Sequence, residues 1–310
     1  LMIGVRDMLG KESLEATHRA IGDTAEACLR RVIDRKHDEL AERFGDPVDE
    51  QGEVAELVTL AVGKFGGREP NYHSDLDAVF LYSAEGQTQR RVGGHRATLS
   101  NEQFFNQLTQ QIVTSINDPS HGGRLYELDS RLRDSGEDGV WAITVDGFLD
   151  RFRQDVAPLW QRMALCKARA VSGSRRLRTR VDVEVAQVLV ETSWRSGMVN
   201  EIRSLRERME KTARAENLKR GAGGTMDVEF AAQALTLRFA SQDPRVIHTG
   251  TTTSLQALRD ADFIPEQDAA TLITGYRTLR RIEANLRLMN TAARHELPED
   301  PDSMSNLAFL

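Results

Sequence analysis

The stretch GKFGGREPNYHSDLDAVFLY, residues 63–82, decides how this sequence folds and which chemistry it can carry. A glycine pair is followed by a polar loop, and Asp75-Leu76-Asp77 then opens an apolar run that ends at Tyr82. Because side chains alternate between the two faces of a strand, Asp75 and Asp77 are predicted to point the same way, roughly 6.5–7 Å apart. Two carboxylates this close repel each other unless a cation lies between them.

A second acidic strand is predicted in RLYELDSRLR, residues 124–133, where Glu127, Asp129, Arg131 and Arg133 alternate onto one face. Asp129 would add a third carboxylate to the first pair. Mg²⁺ takes hard oxygen ligands and usually keeps phosphate oxygens as further ligands. Three carboxylates on neighbouring strands therefore predict a two-metal site, which favours in-line displacement at phosphorus.

The residues around these acids suit a nucleotide triphosphate. Gly66 and Gly67 would let backbone N–H groups approach the phosphates closely, and Ser74 would add a hydroxyl contact. Arg131 and Arg133 would hold phosphate or leaving-group charge. The plainer alternative is that acids at the start of a strand are solvated turn residues.

Composition excludes several classes of protein. The chain has 310 residues and a net charge of -6, which does not suit a nucleic-acid binder. Its two cysteines, Cys28 and Cys166, are too few and too far apart for a disulfide framework or a zinc site, and they fit a reducing cytoplasm. No apolar run approaches the ~20 residues that cross a bilayer, and no signal peptide is predicted. Both ends look cut from a longer chain.

Periodicity predicts an α/β part followed by a helical part, with a boundary near residue 172. The first part has helices over 13–44 and 101–117 and strands within 54–63, 75–82 and 124–133. Helical periodicity then dominates residues 146–170, 181–215, 225–241 and 266–290.

Four segments in order carry a family resemblance: GKFGGREPNYHSDLDAVFLY, LYELDSRLRDSG, WQRMALCKARAVSG and GAGGTMDVEFAAQ. They resemble the motifs of glutamine synthetase adenylyltransferase/adenylyl-removing enzymes, and the resemblance runs from about residue 3 to residue 298. It implies an α+β fold, with a polymerase-β-like nucleotidyltransferase domain over 1–172 and a helical bundle over 173–310. The chain departs from the family at Asp134, where proline is usual, and at Gln161, where glutamate is usual.

The resemblance also implies an activity. Such enzymes hold two homologous catalytic halves: one transfers AMP from ATP to a tyrosine of glutamine synthetase, and the other removes it by phosphorolysis, releasing ADP. A PII-type nitrogen-signalling protein regulates the full-length enzyme. This chain holds the motif set once, and Asp227 in GGTMDVEF resembles the adenylylating half. The adenylyl-removing half stays the alternative.

Carried over by position, Asp75, Asp77 and Asp129 would bind two Mg²⁺ ions, and Asp129 would help to deprotonate the tyrosine. Lys167 and Arg169 would contact phosphate, although cations at such a helix face are commonly solvated.

Three alternatives stay open at this point. Asp227 and Glu229 follow a glycine turn, where acids also stabilise a helix N-terminus without any further role. The chain could be another template-free nucleotidyltransferase, acting on RNA or an antibiotic, although a 6% aromatic content argues against an RNA-binding face. It could also be an inactive domain that only binds glutamine synthetase, although all three acids are retained.

Overall fold

A computed structural model describes residues 2–89, 98–119, 126–130, 140–214, 216–289 and 295–309. Within these ranges the fold combines a central mixed sheet with many helices, so the predicted α+β class is confirmed. No helix among the described residues is both long and apolar enough to span a bilayer.

The central sheet has the strand order β5-β3-β2-β7, and β6 also pairs with β3. The strands are β1 (Asp46–Val48), β2 (Leu57–Ala61), β3 (Leu76–Tyr82), β4 (Gln87–Gln89), β5 (Leu128–Asp129), β6 (Ile143–Thr144) and β7 (Arg169–Ala170). β2 lies antiparallel to β3 and β7, whereas β5 and β6 run parallel to opposite ends of β3. β1 and β4 form a separate antiparallel ribbon.

Helices cover both faces of the sheet and form the later part of the chain. They are α1 (Met2–Met8), α2 (Leu14–Phe44), α3 (Gly63–Gly66), α4 (Asn101–Asn117), α5 (Val145–Arg153), α6 (Leu159–Leu165), α7 (Arg175–Glu191), α8 (Gly197–Glu210), α9 (Thr225–Phe239), α10 (Thr251–Asp260), α11 (Glu266–Met289) and α12 (Pro301–Phe309). Polar caps fix several starts: Ser13 accepts from the Ala16 N–H, and Ser100 forms a reciprocal capping box with Gln103.

Alternation along β2 and β3 divides the core into two layers. Phe80 faces one layer, in which α2 and α4 contribute Leu29 and Phe104. Val79 and Leu81 face the other layer, which is completed by α5, α6 and α7. Because both faces of the sheet are covered, β3 reads as a nearly continuous apolar run after its first residues.

The helices predicted over 13–44 and 101–117 are confirmed almost to the residue, and the strands predicted within 54–63 and 75–82 are present as β2 and β3, which pair with each other. The helical prediction for 146–170 was wrong at its end, where β7 pairs with β2. The helix predicted over 181–215 is broken between α7 and α8. The predicted boundary at 172 lies between β7 and α7, and apolar side chains from both sides share one core layer, so the division into two domains stays a prediction.

Candidate functional site

The geometric centre of the site is the parallel pairing of β3 with β5. Asp77 lies directly opposite Asp129 in the register, one position beyond the pair Leu76 and Leu128. Neighbouring strands lie about 4.8 Å apart, so this register places two acidic residues side by side at the end of the sheet. Asp75 immediately precedes β3 and is exposed. We call Asp75, Asp77 and Asp129 the carboxylate trio.

The like charges of the carboxylate trio repel one another, and Asp77 is partly buried. Burial, followed by the charge of Asp129, raises the pKa of Asp77 to about 6, and Asp75 adds to the rise. Lys219 and Lys64 act in the opposite direction. The two neighbouring carboxylates that raise the pKa of Asp77 make a local field that favours a cation.

The donor set of the trio fits Mg²⁺, because carboxylate oxygens are the hard ligands that this ion prefers. Within the described residues, no three His, Cys, Asp or Glu side chains are already grouped as a metal site. If an ion binds, Asp77 and Asp129 would hold it from adjacent strands, and Asp75 would join them from the loop before β3.

Gly63, which the sequence reasoning missed, closely approaches the Asp77 carboxylate of the trio. Its φ is +55°, and a Cβ atom there would lie 2.5 Å from Oδ2 of Asp77. Only glycine fits both the left-handed backbone and this close approach. The signal was present in the sequence as the glycine that follows the buried strand β2.

Two lysines near the trio were also missed. Lys64 follows Gly63 and lies 3.4 Å from the Glu229 carboxylate, and burial lowers the pKa of Lys64 to about 8. Lys219 reaches the same field from the glycine-rich turn before α9. Both therefore bring positive charge close to the Asp77 carboxylate.

Gly66 and Gly67 are buried between the sheet and the helical part. A Cβ atom on Gly66 would collide with the backbone carbonyl of Lys167, and one on Gly67 would lie 2.8 Å from Lys167 Cε and from the Thr249 carbonyl. Close backbone packing therefore explains the glycine pair by itself. The phosphate contact that we predicted for these two glycines stays a prediction.

The loop before the trio is held from the helical part of the chain. The Ser74 hydroxyl accepts hydrogen bonds from the Asn71 N–H at 2.9 Å and from Arg287 Nη1 at 2.9 Å. The same Arg287 nitrogen donates to the Tyr72 carbonyl at 2.7 Å. Arg287 belongs to α11 and is buried, so α11 fixes the two residues that lead into Asp75.

Lys167 and Arg169 both have acidic partners in the interior. Lys167 Nζ donates to Glu69 at 2.7 Å and to the Thr251 hydroxyl at 2.9 Å, and only 3% of the residue is exposed. Arg169 donates to Glu26 at 2.8 Å. The alternative that these cations are solvated is wrong for Lys167, while their predicted phosphate contacts stay predictions. Arg131 and Arg133 lie outside the described residues.

Asp227 lies in the first turn of α9 and Glu229 follows two residues later, and both carboxylates have partners beyond the helix terminus. Arg206 donates to both oxygens of Asp227, at 2.6 and 2.9 Å, and the Gly223 N–H donates to it at 2.7 Å. Tyr276 donates to Glu229 at 3.0 Å. Helix capping alone therefore does not account for either acid.

Glu229 belongs to a set of buried charges that joins the sheet to the helical part. We call this set the buried ion cluster; its members are Lys64, Glu69, Lys167, Glu229, Tyr276, Arg280 and Glu283. Burial alone would raise the pKa of Glu229, but Lys64, Lys167 and Arg280 together lower it to about 2. The charges of this cluster compensate one another within the protein.

The family is identified by comparison with known proteins. A family model described as glutamate-ammonia ligase adenylyltransferase matches residues 1–184, more than half of the chain. A second model, described as GlnD PII-uridylyltransferase, matches residues 197–310.

Curated relatives match along the whole chain. They include bifunctional glutamine synthetase adenylyltransferase/adenylyl-removing enzymes from Thioalkalivibrio sulfidiphilus and Xanthomonas axonopodis pv. citri. The first is 32% identical over 100% of this chain and 32% of its own length, and the second is 31% identical over 98% of this chain and 32% of its own length. The Burkholderia mallei relative of the same name is 30% identical over 99% of this chain and 34% of its own length. The chain thus spans about a third of the length of these relatives.

Proposed function

Because this chain belongs to the glutamate-ammonia ligase adenylyltransferase family, we propose that it is a catalytic unit that transfers AMP from ATP to a tyrosine of glutamine synthetase. The single observation that carries this proposal is the register that places Asp77 opposite Asp129, with Asp75 two residues earlier. Such a trio beside a glycine turn is typical of a polymerase-β-like nucleotidyltransferase, which is the fold that we propose for residues 1–172.

The trio would hold two Mg²⁺ ions, which when bound supply positive charge that stabilises negative charge developing on the phosphate oxygens. Gly63 leaves room for the Asp77 carboxylate, and Lys64 and Lys219 add positive charge beside it. Asp129 would accept the proton of the tyrosine hydroxyl, whose ordinary pKa near 10 keeps it protonated at neutral pH. Arg287 keeps the loop before Asp75 in place through Ser74.

We propose the adenylylating direction because of Asp227. This carboxylate binds Arg206 of α8 and the Gly223 N–H, so it fixes the glycine turn that precedes α9. The same turn follows Lys219, whose positive charge lowers the pKa of Asp77. The second candidate is the adenylyl-removing half, which would use the same trio in the presence of phosphate.

The partners follow from the same proposal. Glutamine synthetase would be the protein substrate, met in the cytoplasm, and the helical part after residue 172 would help to dock it. The match of residues 197–310 to a PII-uridylyltransferase model supports a response of the full-length enzyme to a PII-type protein.

The experiment compares two reactions of this chain. In one, the chain is incubated with ATP labelled in the adenine, Mg²⁺ and unmodified glutamine synthetase; in the other, with adenylylated glutamine synthetase and phosphate. Labelled glutamine synthetase in the first and no ADP in the second is the expected result. ADP release without labelling would instead show the removing half. If neither reaction took place, the proposed activity would be refuted.

A further inference from the structure

A cavity of about 230 Å³ lies where the segment after α3 meets the helical part of the chain. Its walls come from α2, from residues 67–69, from the start of α10 and from α11. The members of the carboxylate trio do not line it. The cavity is therefore shared between the sheet side and the helical side, apart from the proposed metal site.

The start of α10 gives the cavity its hydrogen-bond donors. The sequence TGTTTS, residues 249–254, places Gly250 at the N-cap, and this residue has no side chain with which to cap the helix. The Thr251 N–H donates to Glu69 at 2.6 Å, while Thr252 and Thr253 also line the cavity. A helix leaves its first N–H groups without intrahelical acceptors, and these groups favour an anion.

Two deeply buried side chains in the cavity wall carry polar atoms that lack a partner. His18 is 4% exposed and Arg280 is 1% exposed. Among the described residues, neither His18 Nε2 nor Arg280 Nε has a hydrogen-bond partner. A buried polar atom left in this state is unfavourable, and a ligand oxygen in the cavity would give it a partner.

The charge of the lining favours a negative ligand. Four arginines line the cavity, together with the two acids Glu15 and Glu69. Arg277 donates to Glu15 at 2.6 Å, and Lys167 donates to Glu69 at 2.7 Å, so each acid already has a cation. Arg280 pairs with Glu283 at 2.6 Å and Arg68 with Asp23 at 3.6 Å, and Arg19, exposed at the rim, adds positive charge there.

We propose that this cavity binds a small ligand through a phosphate or carboxylate group. The volume exceeds that of a bare ion, so the ligand would carry a small organic body as well. Because its walls belong to α2 and residues 67–69 on one side and to α10 and α11 on the other, a bound anion would strengthen the packing of the helical part against the sheet.

The test uses the complete chain without Mg²⁺ or ATP. Inorganic phosphate and acetate are titrated separately by calorimetry, with sodium chloride at matched ionic strength as the reference. Arg19→Gln removes a rim charge without burying a group, and Arg31→Gln is the matched control, an exposed arginine on the same helix outside the lining. We expect saturable binding of one probe, weakened about tenfold by Arg19→Gln, since charge-assisted hydrogen bonds are the strong ones, and unchanged by Arg31→Gln.

His18→Leu tests the inner wall, and its circular dichroism reports whether it is folded. A folded His18→Leu chain should bind the probe at least as weakly as Arg19→Gln does. Asp77→Asn, which disables the proposed metal site, should bind like the original chain. Binding to phosphate alone or to acetate alone identifies the chemical group. No saturable binding, equal effects of Arg19→Gln and Arg31→Gln, or loss of binding in Asp77→Asn would overturn the site and leave the proposed activity untouched.

Discussion

The carboxylate trio and the buried ion cluster place charge in the same molecule in opposite ways. The trio gathers like charges at the end of the sheet, and burial with Asp129 raises the pKa of Asp77. The cluster buries charges of both signs, and its cations lower the pKa of Glu229 to about 2. A site that repels itself needs an external cation, whereas a compensated cluster needs nothing from solvent. The difference supports the proposal that the trio binds a cation, whereas the cluster joins the sheet to the helical part through its own ion pairs.

The largest effect is expected for a substitution of Asp77 in the carboxylate trio. Asp77→Asn removes one proposed metal ligand and one source of repulsion, so AMP transfer to glutamine synthetase should fall by about 10³-fold or more, while the fold is kept. Incorporation of labelled AMP measures the transfer, and urea unfolding measures the stability. Asp34→Asn is the matched control, since Asp34 is exposed on α2. Turnover of Asp77→Asn near that of the control would remove the trio from the active site.

The buried ion cluster should respond in stability instead. Lys167→Met leaves Glu69 buried without its 2.7 Å partner, and breaking a buried pair in this way costs about 3–5 kcal/mol of unfolding free energy. Adding Glu69→Gln should restore part of that loss, because the unpaired charge is then gone. Urea unfolding of both single variants and the double variant measures the coupling.

The same double variant tests the predicted phosphate contact of Lys167. If the lysine only stabilises the interior, a refolded double variant keeps its KM for ATP. A raised KM in a stable double variant would support the phosphate contact. A Lys167→Met chain as stable as the original would show that the compensation inferred for the cluster is absent.

The sequence predicted the trio better than the cluster, for a physical reason. Strand alternation is a local pattern, so it could predict Asp75 and Asp77 on one strand face and Asp129 on another strand, whereas the parallel register that sets Asp77 opposite Asp129 shows only in the folded chain. Lys167 and Glu69 are 98 residues apart, and neither segment's sequence shows that the two side chains will be buried together. Residues 169–170 form too short a strand to show a period of two.

Two other misses have the same origin. Gly63 was passed over in favour of Gly66 and Gly67, since only the folded chain shows which glycine approaches a carboxylate. Helix α10 was not predicted because its first turn, Thr251 to Ser254, consists of residues with weak helix propensity.

Low pH should reduce the stability that the buried ion cluster contributes. The folded pKa of Glu229 lies near 2, below the ordinary value of 4.5, so its contribution to stability is present above pH 4.5 and is lost as pH falls towards 2. The shift corresponds to about 3 kcal/mol. Unfolding free energy measured between pH 5 and pH 2.5 should fall more steeply for the original chain than for Glu229→Gln. Equal slopes would mean that Glu229 gains no stabilisation from the cations around it.

The smallest expected effect concerns Arg287, which connects the helical part to the trio. Its two hydrogen bonds, to the Tyr72 carbonyl at 2.7 Å and to the Ser74 hydroxyl at 2.9 Å, both come from Nη1 at the end of a planar guanidinium. Arg287→Lys keeps the charge but replaces this planar group with a compact ammonium on a flexible stem, so the loop before Asp75 should be less well fixed. We expect kcat to fall about tenfold, which is about 1.4 kcal/mol, with a higher Mg²⁺ concentration needed for half-maximal activity.

The matched control is Arg277→Lys, because Arg277 lies on the same helix and pairs with Glu15 of α2 at 2.6 Å rather than with the loop. If Arg287 has a purely structural role, Arg287→Lys should lower the unfolding free energy, as the control does, and should leave the Mg²⁺ dependence unchanged. A shift in Mg²⁺ dependence confined to Arg287→Lys would show that the helical part positions the carboxylates through Ser74. In that case the hydroxyl of Ser74 serves the loop, and its predicted contact with the nucleotide phosphate would have to come through the backbone.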